Sequence, residues 1–493
     1  MTESERLMRL TPSLLESQSR GGDIAESGFS FQDHVILACI PTWLAQEGFT
    51  AMVKEGIGDV EPKFLAPGYG FIKELIEIKD HPLQPSEFWS EIKRFQEIDA
   101  GSPNTYHSFT LIATGASKEL QPLVNGLYRF RGSQDFYEKQ DAVKNNSIQD
   151  FIKLVESKER TKQDALFFLN KVIVETGWNT AKHHGEAVFK QSLTDRFEEY
   201  GDLSARILDD IYNHLSTFVR QQRNQTIFRK ELEKKLGEKI PRPQQPPTRP
   251  ILIYTATSPA DNPTHPGLRF DWTAFSGGET RAIAPPEQWD QLVIDLQDTR
   301  TWIENYRNTK RIKLLGNRRI SACLALGSVF SAVRGYAIEM EYRDEIWATD
   351  AHPTSETPAY PLTHRILGEK GDRLVVSISI CRNIVNDVQA NLEKFGLPNA
   401  PLLDIQGEQP ITSPEQANIA VRNIKSLIVQ NLLSTGGKII HLFYAGPSHV
   451  ALFLGHRLDA TAPVICYGWT GANQYSQTCQ LLSEITRVRQ TIL

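Results

Sequence analysis

The sequence is poor in cysteine. Its five cysteines lie far apart or inside apolar runs, at Cys39, Cys323, Cys381, Cys466 and Cys479. No two of them form a CxxC pair, and none stands at a spacing from histidine that suits zinc. These absences exclude a disulfide scaffold and a zinc site of the common kinds, and they favour free thiols in a reducing compartment.

The sequence also lacks long apolar runs. Its first ten residues, MTESERLMRL, contain no signal-peptide core, and no stretch reaches the length that crosses a bilayer. We therefore expect a cytoplasmic protein without a membrane partner. The fingerprints GxGxxG and GxxxxGKS are absent as well, which argues against an ordinary dinucleotide or ATP site.

A large excess of charge of either sign is missing too. The net charge of -5 is small for 493 residues, so contact with nucleic acid requires a local basic surface. The 40% of hydrophobic and 23% of charged residues are typical of a globular enzyme. A chain of this length is expected to form two or three domains.

A proline-rich segment divides the chain. Half of residues 241–250, PRPQQPPTRP, are proline, which neither a helix nor a central strand accommodates. We predict a linker there, followed by a second domain at residues 251–493. Before the linker, helical periodicity over residues 141–240 predicts a helical extension of a core at residues 1–140.

Two patterns of secondary structure follow from periodicity. Residues 28–115 predict the order α-β-β-β-α-β. The strands are expected at Thr50–Lys54, Asp59–Leu65, Phe71–Lys79 and His107–Ala113, and the second helix at Glu87–Ile98. Beyond the linker, apolar strands alternate with long helices, which predicts a parallel α/β sheet.

Polar side chains in the first pattern predict metal-dependent chemistry. On a strand, Glu77 and Lys79 project from one face and the isoleucines beside them from the other. Asp59 starts the preceding strand, so a hairpin brings its carboxylate toward Glu77. Two carboxylates hold Mg²⁺ or Mn²⁺, and the lysine orients or deprotonates a water near a phosphate. Gln32, on the first helix, completes the outer wall of this site.

A Glu-x-Lys triplet alone carries little information, because the motif recurs in the chain, for example in the three triplets at residues 91–93, 156–158 and 233–235. Those three lie in segments predicted to be helical, where residues two apart diverge. The competing interpretation of the first triplet is an ordinary ion pair between Glu77 and Lys79 on an exposed strand, with Asp59 as a turn residue.

The order of elements, with Asp59 on the second strand and Glu77-x-Lys79 on the third, resembles the PD-(D/E)xK restriction-endonuclease-like superfamily over about residues 21–115. Gly58 stands where Pro precedes the aspartate in that motif, a departure that many members share. The resemblance implies Asp59 and Glu77 as metal ligands, Lys79 as a catalytic residue, Gln32 as the helix-borne Glu or Gln, and double-stranded DNA as substrate. Four lysines are candidate phosphate contacts: Lys54, Lys63, Lys73 and Lys93.

The second half contains two similar segments. Arg311–Gly327 and Ile439–Gly455 each combine an apolar strand, a glycine-containing turn and a helix with a Leu-Gly pair. Such an internal repeat predicts two fused subdomains. The turn in each unit presents backbone N–H groups at a helix N-terminus, which can bind a phosphate. The candidate turns are Gly316–Ser321, Cys381–Ile384 and Gly446–Ser448.

Eleven residues are candidate contacts of a nucleotide ligand. Arginines at helix starts can pair with phosphates, and aromatic rings can stack on bases. The candidates are Arg318, Arg319, Ser321, Arg382, Asn383, Gly446, Pro447, Ser448, Trp272, Tyr444 and Trp469. The competing interpretation is that the arginines are solvated and the aromatic rings belong to the core.

Residues 441–455, HLFYAGPSHVALFLG, followed by VICYGW at 464–469, are similar to the SAVED domain, a fusion of two CARF/Rossmann-like subdomains. The similarity covers about residues 250–493. With the nuclease-like segment, the chain resembles the nuclease-SAVED effectors of bacterial anti-phage signalling (CBASS). The resemblance implies cleavage of double-stranded DNA with little sequence specificity, switched on by a cyclic di- or trinucleotide from a partner CD-NTase through ligand-driven homo-oligomerisation.

Two other functions stay open at the level of sequence. One is a nucleotide-sensing interaction protein whose nuclease-like part is an inactive scaffold. The other is an enzyme that acts on the nucleotide itself, such as a ring nuclease. For the effector, we expect the ligand to bridge the two subdomains and to favour head-to-tail docking, a heterologous contact that produces open filaments.

Overall fold

A computed structural model describes residues 26–133, 136–137, 140–242, 245, 248–258, 261, 265–275, 283–380, 382–459 and 461–481. The chain forms two compact units, Met1–Pro247 and Thr248–Leu493, whose boundary falls inside the segment predicted as a linker. Residues 21–25 of the nuclease-like segment and Cys381 of one candidate turn lie outside the described residues. In the part of the chain that is described, no helix is both long and apolar enough to span a membrane.

The first unit is built on a six-stranded mixed sheet. The strands are β1 Phe49–Lys54, β2 Val60–Ala66, β3 Gly70–Leu83, β4 Tyr106–Ala116, β5 Val172–Glu175 and β6 Thr226–Phe228. The helices are α1 Glu26–Ala45, α2 Pro85–Gly101, α3 Gln121–Ser133, α4 Asp141–Glu156, α5 Lys162–Lys171, α6 Lys182–Arg196, α7 Ala205–Gln221 and α8 Arg229–Gly237. The strand order is β5-β4-β3-β2-β1-β6, and only the β3–β4 and β4–β5 pairs are parallel. From α1 to β4 the elements follow the predicted order.

Alternation along β3 explains why apolar layers cover both faces of this sheet. Ile76 and Ile78 join the apolar cluster built with α1, whereas Leu75 joins the cluster built with α2. Side chains two residues apart on a strand lie on the same face. Glu77 and Lys79 therefore project toward the side of the sheet that α2 covers.

Residues 141–240 are not wholly helical, which corrects the prediction. Strands β5 and β6 add to the two edges of the sheet, where they pair with β4 and β1. Strand β5, Val-Ile-Val-Glu, follows helix α5 directly, with no Gly or Pro between them, so no breaker residue marked the change. Its β-branched residues favour a strand. The predicted extension thus completes the same sheet.

The second unit contains two sheets in place of one parallel sheet. The strands are β7 Ile251–Ala256, β8 Leu268–Asp271, β9 Arg311–Gly316, β10 Ala337–Tyr342, β11 Glu345–Ala348, β12 Leu362–Leu367, β13 Arg373–Ser379, β14 Leu402–Gly407, β15 Ile439–Ala445, β16 Val464–Gly471 and β17 Gln474–Leu481. The helices are α9 Pro286–Tyr306, α10 Ile320–Val329, α11 Val385–Asn391, α12 Pro414–Thr435 and α13 Ser448–Leu458. The orders are β11-β10-β9-β7-β8 and β12-β14-β13-β15-β16-β17. Edge strands β11, β12 and β17 pair antiparallel, and the other pairs are parallel.

Each of these sheets has a point where successive strands are added on opposite sides. In the first sheet this switch lies between β7 and β9, and in the second between β13 and β15. In open α/β sheets, the carboxyl ends of the strands form a crevice at such a point, and ligands bind there. The topology therefore marks two candidate ligand positions.

The two similar helices found in the sequence, α10 and α13, cross at their glycines. A Cβ on Gly327 would lie 2.2 Å from the carbonyl oxygen of Leu452, and a Cβ on Gly455 would lie 2.2 Å from that of Leu324. The contact is reciprocal. Helix α10 follows strand β9 of the first sheet and helix α13 follows strand β15 of the second, so their crossing joins the two sheets. Only residues without a side chain permit so close an approach.

We predict that Gly455→Ala lowers the free energy of unfolding of the second unit by at least about 2 kcal/mol, because the added methyl group overlaps backbone that cannot change rotamer. Urea denaturation of the full chain measures the effect. Gly132→Ala is the control: its Cβ meets no atom within 4 Å, so helix propensity makes it neutral or mildly stabilising. Equal stability of Gly455→Ala and wild type would contradict the tight crossing.

Candidate functional site

Asp59 lies just before β2 and is held by the two elements beside it. Its Oδ1 accepts a hydrogen bond from Nε2 of Gln32 at 2.9 Å, and its Oδ2 accepts one from the backbone N–H of Ile78 at 2.6 Å. The Asp59 N–H donates to the carbonyl oxygen of Ile76 at 3.1 Å. Helix α1 and strand β3 therefore fix the carboxylate beside the chain segment that carries Glu77.

Glu77 and Lys79 belong to a network of four charges that includes two residues of α2. Glu77 accepts from Lys79 Nζ at 3.1 Å and from Arg94 Nη2 at 2.5 Å. Glu91 lies 3.0 Å from Lys79 Nζ and 2.8 Å from Arg94 Nε. Arg94 Nη1 also donates to the carbonyl oxygen of Ile57 at 3.0 Å. The four side chains are 14% to 21% exposed, so water screens these pairs less than it screens surface pairs.

Burial and neighbouring charge shift the protonation of this site. Burial, reinforced by the charge of Glu77, raises the pKa of Asp59 well above its ordinary value. Burial alone would lower the pKa of Lys79, but Glu77 and Glu91 outweigh it, and the pKa is raised. The pKa of Arg94 is raised for the same reasons. Lys79 and Arg94 therefore stay positively charged, whereas the carboxylates of Asp59 and Glu77 repel each other.

The oxygen donors of Asp59 and Glu77 fit a hard divalent cation such as Mg²⁺ or Mn²⁺. A cation beside both carboxylates would relieve the repulsion that raises the pKa of Asp59. Within the described residues, no three His, Cys, Asp or Glu side chains form a metal-binding group, so water or main-chain oxygens would supply the other ligands. Arg94 now occupies one oxygen of Glu77, and it would compete with a metal for that oxygen.

Sequence analysis did not identify Glu91 and Arg94 as members of this site. Their spacing of three places them on one face of a helix, but which face meets β3 depends on how α2 packs. One candidate phosphate contact needs correction: Lys54 is buried in an ion pair with Asp33. It therefore stabilises the interior and does not face solvent, whereas Lys93 is 77% exposed.

In the second unit, a cavity of about 520 Å³ lies at the switch point between β13 and β15. The first sheet contributes the turn between β10 and β11, and the second sheet contributes the carboxyl ends of β13 and β14 and the turn after β15. The lining residues are Tyr342, Arg343, Ser379, Ile380, Arg382, Asn383, Gln406, Gly407, Glu408, Gln409, Pro410, Ile411, Pro447 and His449. A molecule in this cavity would contact both halves of the unit.

Three of the predicted ligand residues line this cavity, and two more are their neighbours in the chain. Arg382, Asn383 and Pro447 line it, and Gly446 and Ser448 flank Pro447 in the chain. Two of the three candidate turns are thus brought together, because β13 and β15 are neighbours in the sheet.

Three other predicted ligand residues belong to the interior, which corrects the prediction. Trp272, Tyr444 and Ser321 are buried. The Tyr444 hydroxyl donates to the carbonyl oxygen of Pro447 at 2.9 Å, and the Ser321 hydroxyl accepts from Thr478 at 2.9 Å. These side chains hold the fold and the turn, and do not offer a surface to a ligand.

The remaining three predicted residues lie apart from the lining. Arg318 and Arg319 follow β9 at the other switch point, where Arg318 Nη2 donates to the carbonyl oxygen of Gly316 at 2.7 Å. The guanidinium of Arg382 lies over the ring of Trp469, with its Cζ atom 4.9 Å from the ring centroid. Trp469 therefore supports a cavity residue and contributes no lining of its own.

The sequence did not mark three lining residues that bear polar chemistry: Arg343, Glu408 and His449. His449 lies one residue beyond the predicted turn Gly446–Ser448, which was the available signal. Arg343 lies in a turn between strands that were not predicted, and Glu408 follows another such strand. Only the pairing of the strands brings these residues to one cavity.

Comparisons with known proteins support this description of the second unit. Residues 295–481 match the SAVED family, the "SMODS-associated and fused to various effectors sensor domain". CD-NTase-associated protein 4 of Moraxella osloensis is 27% identical over 473 residues, which is 96% of this chain and all of that protein. The protein of the same name from an Acinetobacter species is 26% identical over 473 residues, again 96% of this chain and all of that protein.

Solved structures show the same relationship. The Acinetobacter baumannii Cap4 SAVED/CARF-domain containing receptor, solved with the cyclic trinucleotide 2'3'3'-cAAA, matches with a TM-score of 0.82 at 25% identity, over 94% of this chain and 100% of that one. The Moraxella osloensis Cap4 receptor matches with a TM-score of 0.76 at 26% identity, over 93% and 100%. The chain is thus similar to Cap4 over nearly its whole length.

We predict that Arg94→Ala lowers the free energy of unfolding of the first unit by about 1–3 kcal/mol, because Glu77 and Glu91 stay partly buried without their shared cation. Chemical denaturation of the full chain measures this. The matched control is the neighbouring Lys93→Ala, whose side chain has only Glu97 at 3.9 Å and should change stability by less than about 0.5 kcal/mol. Identical curves for the two variants would contradict the network.

Proposed function

Because the chain carries a SAVED sensor domain and is homologous to CD-NTase-associated protein 4, we propose that it is an effector of CBASS anti-phage defence. In this proposal, the first unit is a metal-dependent endonuclease that cuts double-stranded DNA with little sequence preference. The second unit is a receptor for a cyclic oligonucleotide made by a partner CD-NTase. Binding to the receptor switches the nuclease on.

The observation that carries the nuclease proposal is the arrangement of Asp59, Glu77 and Lys79. An exposed ion pair on a strand would leave Asp59 apart, yet its carboxylate is held against β3 at Ile78. The pKa of Asp59 is raised by burial and by Glu77, which places the two carboxylates within electrostatic reach. Two carboxylates that can hold a metal, with a lysine beside them, are compatible with metal-assisted hydrolysis of a phosphodiester.

The charge of Lys79 indicates how its side chain would take part in the proposed reaction. Its pKa is raised by Glu77 and Glu91 despite burial, so the ammonium stays protonated at neutral pH. A protonated lysine donates to the attacking water or to a phosphate oxygen and stabilises the developing negative charge. A divalent cation held by Asp59 and Glu77 would supply Lewis-acid chemistry at the phosphate.

For the receptor we propose a cyclic trinucleotide as ligand. The Acinetobacter baumannii Cap4 receptor has been solved with 2'3'3'-cAAA and with 3'3'3'-cAAA. The cavity of about 520 Å³ falls in the usual range for ligand sites. Arg343 and Arg382 bring positive charge to it from the two sheets, which suits phosphates. We further propose that the ligand bridges the two halves and promotes head-to-tail homo-oligomers.

One observation favours a second candidate, a sensor whose nuclease-like unit is an inactive scaffold. Glu77 and Lys79 are both engaged by residues of α2, and Arg94 occupies a Glu77 oxygen that a metal would need. Ligand binding without DNA cleavage, with any divalent metal, would favour this candidate. Chemical change of the nucleotide on long incubation would favour a ring nuclease instead.

We predict that plasmid DNA is cut in the presence of Mg²⁺ only when a cyclic trinucleotide is added, and that Lys79→Ala slows cutting by at least about 100-fold, because an electrostatic contact to the reacting phosphate is lost. Gel assays with 2'3'3'-cAAA and 3'3'3'-cAAA measure both effects. Lys158→Ala, from the Glu-x-Lys triplet at residues 156–158, whose ammonium lies 3.7 Å from Glu119, is the matched control and should cut within about twofold of wild type. Equal loss in both variants would remove Lys79 from the reaction.

We predict that Arg382→Ala weakens binding of the cyclic trinucleotide about tenfold or more, because a charge-assisted contact to phosphate is lost. Isothermal titration calorimetry on the full chain measures the dissociation constant. Arg422→Ala, an exposed arginine on α12 outside the cavity, is the control and should bind normally. Unchanged binding by Arg382→Ala would place the ligand elsewhere, with the other switch point at Arg318 as the next position to test.

A further inference from the structure

His449 is a polar side chain without a polar partner at the edge of the cavity in the second unit. It is 1% exposed and lines the cavity. Within the described part of the chain, neither Nδ1 nor Nε2 has a hydrogen-bond partner. Two other buried histidines of this unit are each partnered through one ring nitrogen: His441 bonds the Tyr467 hydroxyl at 2.8 Å, and His456 bonds the Tyr336 carbonyl oxygen at 3.0 Å.

An unpaired buried imidazole is costly. Leaving a buried donor or acceptor unsatisfied destabilises a fold by about 1–3 kcal/mol, and native proteins contain few such groups. A purely structural role would be filled better by an apolar ring of similar size. The placement of His449 at a cavity therefore indicates a molecule that supplies the missing hydrogen bonds.

The geometry around the ring tells which part of the imidazole is available. The Tyr342 ring lies 4.1 Å from His449, and the Trp347 ring lies 4.3 Å from it, centroid to centroid. Aromatic neighbours thus cover the ring, and little of its face is left for stacking on a base. Its two ring nitrogens are buried beside the cavity and, among the described residues, lack hydrogen-bond partners, so they are the atoms that a bound ligand could satisfy after a small shift of the lining.

The charge state of the ring selects the kind of ligand group. Burial, followed by the charge of Arg343, lowers the pKa of His449 to about 4. At neutral pH the ring is therefore uncharged, with one donor and one acceptor. The charged side chains of the cavity lining are Arg343, Arg382 and Glu408. The two arginines suit phosphates, whereas the neutral imidazole suits the mixed donors and acceptors of a nucleobase.

Arg343, which lines the same cavity as His449, lies in a turn with an uncommon backbone conformation. Arg343 and Asp344, at the turn between β10 and β11, have φ values of 53° and 63°. Turns of this kind normally use Asn or Gly, because other residues pay a steric penalty at positive φ. The two-residue hairpin thus fixes the position of Arg343, which lines the same cavity as His449.

We propose that the polar edge of His449 hydrogen-bonds a nucleobase of the bound cyclic oligonucleotide, while Arg343 and Arg382 contact its phosphates. His449 is then a specificity-determining residue of the receptor. This proposal rests on the proposed function of the second unit, and it assigns recognition of a nucleobase to the side chain of His449. In this proposal, Tyr342 and Trp347 of the first sheet pack against His449 and hold the ring in the position from which it contacts the base.

The test compares wild-type full chain with His449→Phe and His449→Gln by isothermal titration calorimetry against 2'3'3'-cAAA and 3'3'3'-cAAA. His449→Phe keeps the ring packing and removes both hydrogen-bonding atoms, so affinity should fall about 10- to 100-fold. His449→Gln keeps a donor and an acceptor and should recover part of the loss. Thermal melting of each variant without ligand checks that the unit is folded; removal of an unpaired polar group should leave His449→Phe at least as stable as wild type.

Salt dependence separates a base contact from a phosphate contact. Titrations at about 50 mM and about 300 mM sodium chloride should show the same relative loss for His449→Phe, because a neutral hydrogen bond is screened little. Arg343→Ala should flatten the salt dependence, because it removes a charge that faces phosphate.

Three results would overturn the proposal. Wild-type affinity in folded His449→Phe would reduce His449 to a packing residue. A flattened salt dependence in that variant would move its contact to phosphate. If the wild-type chain bound neither cyclic trinucleotide, the proposed ligand class would fail and this inference with it, whereas either of the first two results would leave the receptor function intact.

Discussion

The second unit depends on the reciprocal contact of Gly327 with α13 and of Gly455 with α10. A side chain at either position would meet a carbonyl oxygen at 2.2 Å, so the two helices approach at a distance that only glycine permits. Each helix follows a strand of a different sheet, and the crossing therefore ties the sheets together. Because the cavity is lined from both sheets, this crossing also sets the space in which a ligand would be held.

The candidate site of the first unit depends on a close approach of the same kind. A Cβ on Gly58 would lie 2.9 Å from Cδ2 of Leu75 and 3.1 Å from the carbonyl oxygen of Ile76, so glycine lets Asp59 reach β3. The carboxylate then meets a site whose other charges, Glu77 and Lys79, are held by α2. In both units, glycines set how closely the elements that carry the candidate site residues approach one another.

Local pattern predicted what lies within one element. Alternation along β3 placed Glu77 and Lys79 on one face, and the repeated strand-turn-helix segments predicted two related halves. Properties that arise from packing between distant elements were not visible: the contact of Arg94 with Glu77, the burial of Trp272, and the antiparallel edge strands of the two sheets in the second unit. Strand β12 is largely exposed, so it lacks the apolar alternation by which half-buried strands are recognised.

The central claim is that a ligand bound in the second unit controls a nuclease in the first. The most direct test titrates 2'3'3'-cAAA into one preparation of the full chain with Mg²⁺ and plasmid DNA, and follows ligand binding and DNA cutting over the same concentrations. The account predicts that cutting is absent without ligand and rises with the fraction of receptor occupied. Cutting that is constant across the titration, or that stays absent at full occupancy, would contradict it.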